Sequence, residues 1–124
     1  MKKVFSALLM LTACFLFVVT VSAATGNGTI TYGGTPFELI EDTGTDVYAT
    51  VRASSLPNGS VNVNAIMQKK FLLWWTNQAN AIVPVQTTNV TYYAQFAANA
   101  PGQVRALFDN LSSGRSLTGR FQLY

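Results

Sequence analysis

The sequence predicts an all-β protein: an antiparallel β-sandwich of about eight short strands, left after an N-terminal signal helix is cut away. Three observations predict it. Apolar and polar residues alternate with a period of two through much of the chain, the mark of strands with one buried face. Turn-forming pairs, Gly33-Gly34, Asn58-Gly59 and Pro101-Gly102, interrupt that alternation at short intervals. The first 23 residues have the composition of a leader rather than of a strand.

The leader opens on Lys2-Lys3 and continues mostly apolar from Val4 to Val21. It ends at Val21-Ser22-Ala23, with small residues where a signal peptidase reads. Cleavage after Ala23 leaves one domain, residues 24–124, large enough to bury a core. Ser6, Thr12, Thr20 and Ser22 interrupt the apolar run and argue against a permanent anchor. Leu11-Thr-Ala-Cys14 resembles a lipobox, but cutting there would leave Phe15-Leu-Phe-Val-Val19 exposed behind the lipid. Mass spectrometry of the mature N-terminus separates Ala24 from a lipidated Cys14. The one cysteine leaves with the leader, so the domain is disulfide-free. Removing Lys2 and Lys3 also lowers the formal charge from +3 to +1, too little for a nucleic-acid partner.

Ala24–Gly28 reads as a polar lead-in, Thr29–Tyr32 as a short strand, and Phe37–Glu41 as a second. Asp42–Asp46 has the composition of a loop. Val47–Ala53 turns Val47, Ala49, Val51 and Ala53 inward and Tyr48, Thr50 and Arg52 outward. Ser60–Met67 turns Val61, Val63, Ala65 and Met67 inward. With Asn58-Gly59 between them, these two segments are expected to form a hairpin. Lys69-Lys70 suggests a protected edge or a bend. Phe71-Leu-Leu-Trp-Trp75 is apolar on both faces and is expected to be a central strand, covered on both sides, with Trp74 and Trp75 in the core. Residues 77–80 read as a polar loop, and Ala81–Val85 as an edge strand because Pro84 cannot donate to a ladder. Val90–Tyr124 reads as a β-meander. Its inner face carries Val90, Tyr92, Ala94, Phe96, Val104, Ala106, Phe108, Leu117, Gly119, Phe121 and Leu123.

Chemistry is sparse. The chain has no histidine, and the mature domain has no cysteine. That removes the commonest general base, the thiol nucleophile and the usual zinc ligands. The expectation is therefore a non-enzymatic protein without cofactor. Glu41, Asp42 and Asp46 are weak candidates for calcium, without EF-hand spacing. The candidate binding residues are Arg52, Arg105 and Arg120, each on the polar side of a strand, with Tyr48, Tyr93 and Trp74. Arginine and tyrosine favour recognition surfaces, and an exposed indole suits a sugar ring or a membrane surface. Four Asn-x-Ser/Thr sequons, at Asn27, Asn58, Asn89 and Asn110, read as turn chemistry.

Tyr92-Tyr93, Gly102–Asn110 and Ser116-Leu-Thr-Gly119 resemble the end of small secreted β-sandwich proteins of Gram-positive bacteria, including the lactococcin-972-like bacteriocins. That resemblance implies a secreted sandwich acting on cell-wall synthesis. The histidines and the N-terminal glycine–aromatic pattern of the bacteriocin are missing here. Gly28-Thr-Ile-Thr-Tyr32 also resembles the donor strand of a pilin, without the pilin cysteine pair.

The sequence thus leads to a secreted, extracellular binding or interaction module. Its partner would be a cell-envelope component or another protein, possibly a second copy, with membrane contact only through the uncleaved leader. The alternatives are a self-assembling pilin-like fibre subunit exchanging residues 24–34, and a bacteriocin-like toxin. Filaments in electron micrographs would mark the former, and growth inhibition of related bacteria the latter.

Overall fold

The structure, a computed structural model, describes residues 24–41, 48–96 and 103–124, with Glu41 described by its backbone alone. The expected leader, the expected loop with Asp42 and Asp46, Val47 and the expected turn at Pro101-Gly102 lie outside the described residues, as does the Glu41 side chain.

The described residues form eight strands: β1 (Ala24–Thr31), β2 (Phe37–Glu41), β3 (Tyr48–Ser55), β4 (Val61–Phe71), β5 (Trp74–Val85), β6 (Thr91–Gln95), β7 (Val104–Asn110) and β8 (Ser116–Leu123). They form two antiparallel four-stranded sheets, ordered β1-β8-β3-β6 and β2-β7-β4-β5. The all-β sandwich is as the alternation predicts.

The core lies between the sheets. Ala49, Val51 and Ala53 of β3 face Val61, Val63, Ala65 and Met67 of β4 across it, all buried. Phe121 is its centre: its ring stacks on Phe37 at 4.6 Å and meets Phe108 at 4.8 Å. A fully buried side chain of this size contributes about 1.5–3 kcal/mol through area removed from water. Leu117 and Leu123 of β8 and Val104 and Ala106 of β7 complete the inner faces. Asn110 is a buried polar residue of this interior, and its amide joins the two layers. Its Nδ2 donates to the Ile30 carbonyl (3.2 Å) and the Arg115 carbonyl (2.8 Å), and its Oδ1 accepts from the Ser112 amide (2.8 Å).

The connectivity differs from expectation. β4–β5 is the one hairpin between consecutive strands; every other consecutive pair lies in opposite sheets. The expected β3–β4 hairpin is therefore an arch across the sandwich, and the expected meander passes from first sheet to second and back. Alternation fixes which side chains face the interior, and both sheets share that interior. The Asn58-Gly59 pair departs from the hairpin expectation for a related reason. The Gly59 amide donates to the Leu56 carbonyl at 3.2 Å, so the pair occupies the last two positions of the turn rather than its centre. Gly59, at φ 95°, releases the chain toward the other sheet instead of folding it back.

Other expectations shift by smaller amounts. β1 begins at Ala24, so the expected polar lead-in is strand, register-paired to β8 along its whole length. Tyr32 falls in the turn after it and is exposed. Val90 lies outside the core, and Thr50, expected outward in water, is buried. The expected loop over residues 77–80 is part of β5. β5 is an edge strand, as Pro84 requires. Lys69-Lys70 marks no edge, since β4 lies between β7 and β5; the register with β5 does shift just before it, between Met67 and Gln68.

Candidate functional site

Strand register builds the site on the outer face of the first sheet. Thr25, Gln122, Thr50 and Tyr93 are aligned in one row across β1, β8, β3 and β6; Asn27, Arg120, Arg52 and Thr91 form the next. Beyond the first row, the Tyr124 amide donates to the Tyr48 carbonyl at 2.9 Å. Tyr48 then stacks on Tyr124 with ring centres 4.8 Å apart and planes 17° from parallel, and Tyr93 lies 6.0 Å away at a tilt. Gln122 Oε1 accepts from both the Thr50 hydroxyl (3.2 Å) and the Tyr124 hydroxyl (3.1 Å), which fixes its amide beside the rings.

Arg52 and Arg120 are direct cross-strand partners. Like charges placed opposite each other on a sheet cost stability. Among the described residues neither has an acidic partner: the described ion pair joins Arg105 to Glu38 on the other sheet. Arg52 makes one long contact, Nη1 to Thr91 Oγ1 at 3.5 Å. With Asn27, Ser54, Asn89 and Thr118 the two arginines line an open depression of about 320 Å³. The face thus combines a tyrosine platform with a neighbouring pair of forked donors. Such a surface stacks on flat, weakly polar rings and chelates an anionic group; it holds no nucleophile–base pair. Among the described residues there is also no cluster of metal-ligating side chains.

Of the six binding candidates the structure brings four together, Arg52, Arg120, Tyr48 and Tyr93. Arg105 lies on the outer face of the second sheet. Its Nε donates to Gln68 Oε1 (2.6 Å), its Nη1 pairs with Glu38 Oε2 (2.9 Å), and its guanidinium lies 4.4 Å from the centre of the Trp75 ring. Those contacts make it a clamp between strands. Trp74 stands apart, at the tip of the β4–β5 hairpin. The expectation that Phe71–Trp75 is a covered central strand, with both indoles in the core, is overturned. Leu72 and Leu73 form the turn, Phe71 pairs with Trp74 beneath it, Trp74 is 70% exposed and Trp75 is half-buried under Arg105. Lys70 pairs with Trp75 and Phe71 with Trp74 about Leu72-Leu73, and no turn-forming residue in that stretch signals the turn.

Reading the sequence missed Asn27 and the part played by Gln122. Asn27 looked like lead-in, although the Gly26-x-Gly28 spacing around it keeps the period of two. Of the sequon asparagines, Asn58 and Asn89 do serve turns: Asn58 Nδ2 donates to the Gly114 carbonyl at 3.1 Å, and Asn89 has φ 61°. Asn110 is buried, and Asn27 is in mid-strand.

No protein-family model and no curated protein matches this chain. Among solved structures it is similar to the crystal structure of a carbohydrate-binding module specific for non-crystalline cellulose. The match has 12% identity and a TM-score of 0.43, covering 82% of this chain and 70% of that one.

Proposed function

We propose that this chain is a secreted, non-catalytic binding module that attaches to a glycan of the cell envelope through the outer face of its first sheet. One observation carries the reading: Arg52 and Arg120 are held side by side with no acid to neutralise them among the described residues, next to a stacked tyrosine pair. A sheet has no structural use for that repulsion, and a ligand bearing a carboxylate or phosphate relieves it. Tyr93, exposed beside the stacked Tyr48 and Tyr124, offers ring surface to a sugar on one side of the charged group. Absence of histidine from the whole chain supports a role without turnover. Secretion follows from the leader, which delivers the domain to the envelope.

Native electrophoresis in gels containing soluble polysaccharide tests the proposal. A polyuronate in the gel should retard the protein more than an uncharged β-glucan does. Arg52→Ala with Arg120→Ala should abolish the difference, and Tyr48→Ala should weaken retardation by both. Equal mobility in the two gels for wild type would remove the proposal. A second reading, self-assembly by exchange of β1, is favoured by the position of β1 at a sheet edge, with β8 as its sole ladder partner among the described residues. Monomers in size-exclusion chromatography at millimolar concentration would dismiss it.

A further inference from the structure

We propose that the β4–β5 hairpin tip is a membrane-docking wedge, inserting Phe71, Leu72, Leu73 and Trp74 into the interfacial region of an anionic lipid bilayer. This inference is independent of the glycan reading, which concerns the other sheet, and it departs from the expectation that only the leader meets a membrane.

The tip extends past its own sheet. β7 pairs with β4 as far as Lys69↔Val104, and the last backbone contact from that side is the Lys70 amide to the Gln103 carbonyl at 3.0 Å. Phe71 to Trp74 lie beyond it, paired among the described residues with each other alone. They are 64%, 77%, 85% and 70% exposed in order, four consecutive large apolar residues turned to water. Leu72 also has φ 57°, at the first position of a two-residue turn where glycine is the ordinary choice. A bulky apolar side chain is thus kept where a small residue would fit the backbone better.

Charge complementarity names the occupant. Lys69 and Lys70 sit directly behind the tip, and successive strand residues face opposite sides, so the hairpin carries an ammonium on each of its faces. Apolar end, tryptophan, then lysines is the order a bilayer presents in reverse: acyl chains, interface, anionic headgroups. Behind them Arg105 lies over Trp75, which stiffens the base of the wedge. A second copy fits less well. A hairpin end two residues wide cannot supply the roughly 800 Å² per partner that a stable dimer buries.

The test uses the two-tryptophan content of the chain. Trp75→Phe leaves Trp74 as the sole indole and keeps a ring under Arg105. With vesicles of phosphatidylglycerol and phosphatidylcholine, Trp74 emission should shift to the blue and be quenched by lipids brominated near the top of the acyl chain. This readout is local to the tip, so insertion of an uncleaved leader does not imitate it. Leu72→Asp with Leu73→Asp, both exposed and in the turn, should lower vesicle affinity by roughly a hundredfold or more, with the β circular dichroism spectrum retained. Lys69→Gln with Lys70→Gln should lower it about fivefold per lysine on anionic vesicles and leave it unchanged on phosphatidylcholine alone. Trp74 emission indifferent to vesicles overturns the proposal, as does quenching that survives the double aspartate substitution. A blue shift that follows protein concentration without lipid assigns the tip to a second copy and likewise overturns it.

Discussion

Replacing Asn110 by aspartate changes one atom of a buried side chain and should cost a large part of the stability of the domain. The Asn110 amide nitrogen faces two carbonyl oxygens, of Ile30 and Arg115, while its oxygen accepts from the Ser112 amide. Each net hydrogen bond contributes about 1 kcal/mol, and an unsatisfied buried carbonyl costs about 1–3 kcal/mol more. An aspartate keeps the Ser112 contact and sets its second oxygen against both carbonyls. The sum is at least about 3 kcal/mol at neutral pH, against a total of roughly 5–15 kcal/mol for a domain of this kind. For about 100 residues that lowers Tm by roughly 10–20 °C. The pH dependence is diagnostic. The carboxyl facing those carbonyls is protonated more readily in the folded state than in the unfolded one, where it titrates near 3.9. The folded state therefore holds the extra proton, and the loss is smallest below that value and grows as pH rises toward the folded pKa. Asn110→Leu removes the same bonds without a titrating group, so its loss should add no such slope. Urea melts of the three proteins at several pH values, at constant ionic strength, make the comparison. An Asn110→Asp loss under about 1 kcal/mol, or one no more pH-dependent than Asn110→Leu, would refute this account of the buried amide.

Other expectations follow from the same geometry. Gly119→Ala places a Cβ against the Arg52 carbonyl oxygen and 2.8 Å from the Ala53 Cα. These are backbone atoms of β3 that cannot rotate away, so calorimetry should find the domain destabilised by about 3 kcal/mol or more. Arg105→Ala should cost about 1–2 kcal/mol in a denaturant melt, because it removes packing on Trp75 and two hydrogen bonds. Glu38→Gln should cost under about 0.5 kcal/mol, since the Glu38 side chain is 42% exposed and water screens the pair. The side-chain hydrogen bond with Thr87, seconded by backbone amides, holds the Tyr92 phenol below the ordinary tyrosine value of 10.0, against an opposing contribution from desolvation. Ultraviolet difference titration should find one phenol ionising early, absent in Tyr92→Phe. With its folded pKa depressed, that group stabilises the fold fully above the unfolded value and loses the contribution as pH falls through the folded one.

Inner faces were readable residue by residue because a period of two leaves no choice about which side chains share a face. Ala49, Val51, Val61, Val63, Phe108 and Phe121 are all core, as their spacing requires. Strand partnership was not readable. Alternation along β3 or β4 is identical whether they pair with each other or face each other across a core, and the turn at Leu56–Gly59 serves either arrangement. The proposed binding face depended on that missing information: Arg52 and Arg120 are 68 positions apart, and register alone makes them neighbours. Phe71–Trp75 failed for a different reason. Hydrophobicity argues for burial, and the exposure of Leu72 and Leu73 opposes it, so composition pointed away from the hairpin turn there. Local rules break most often where a residue is kept for something other than stability.

The ligand-binding role proposed for the outer face of the first sheet is tested at residue resolution by nuclear magnetic resonance. Titration of the isotopically labelled protein with an oligogalacturonate should move the amide and side-chain signals of Arg52 and Arg120 together with Tyr48, Tyr93 and Tyr124. Signals of Arg105 and Glu38, on the opposite sheet, should stay in place. Shifts confined to the second sheet, or none at saturating oligosaccharide, would contradict it.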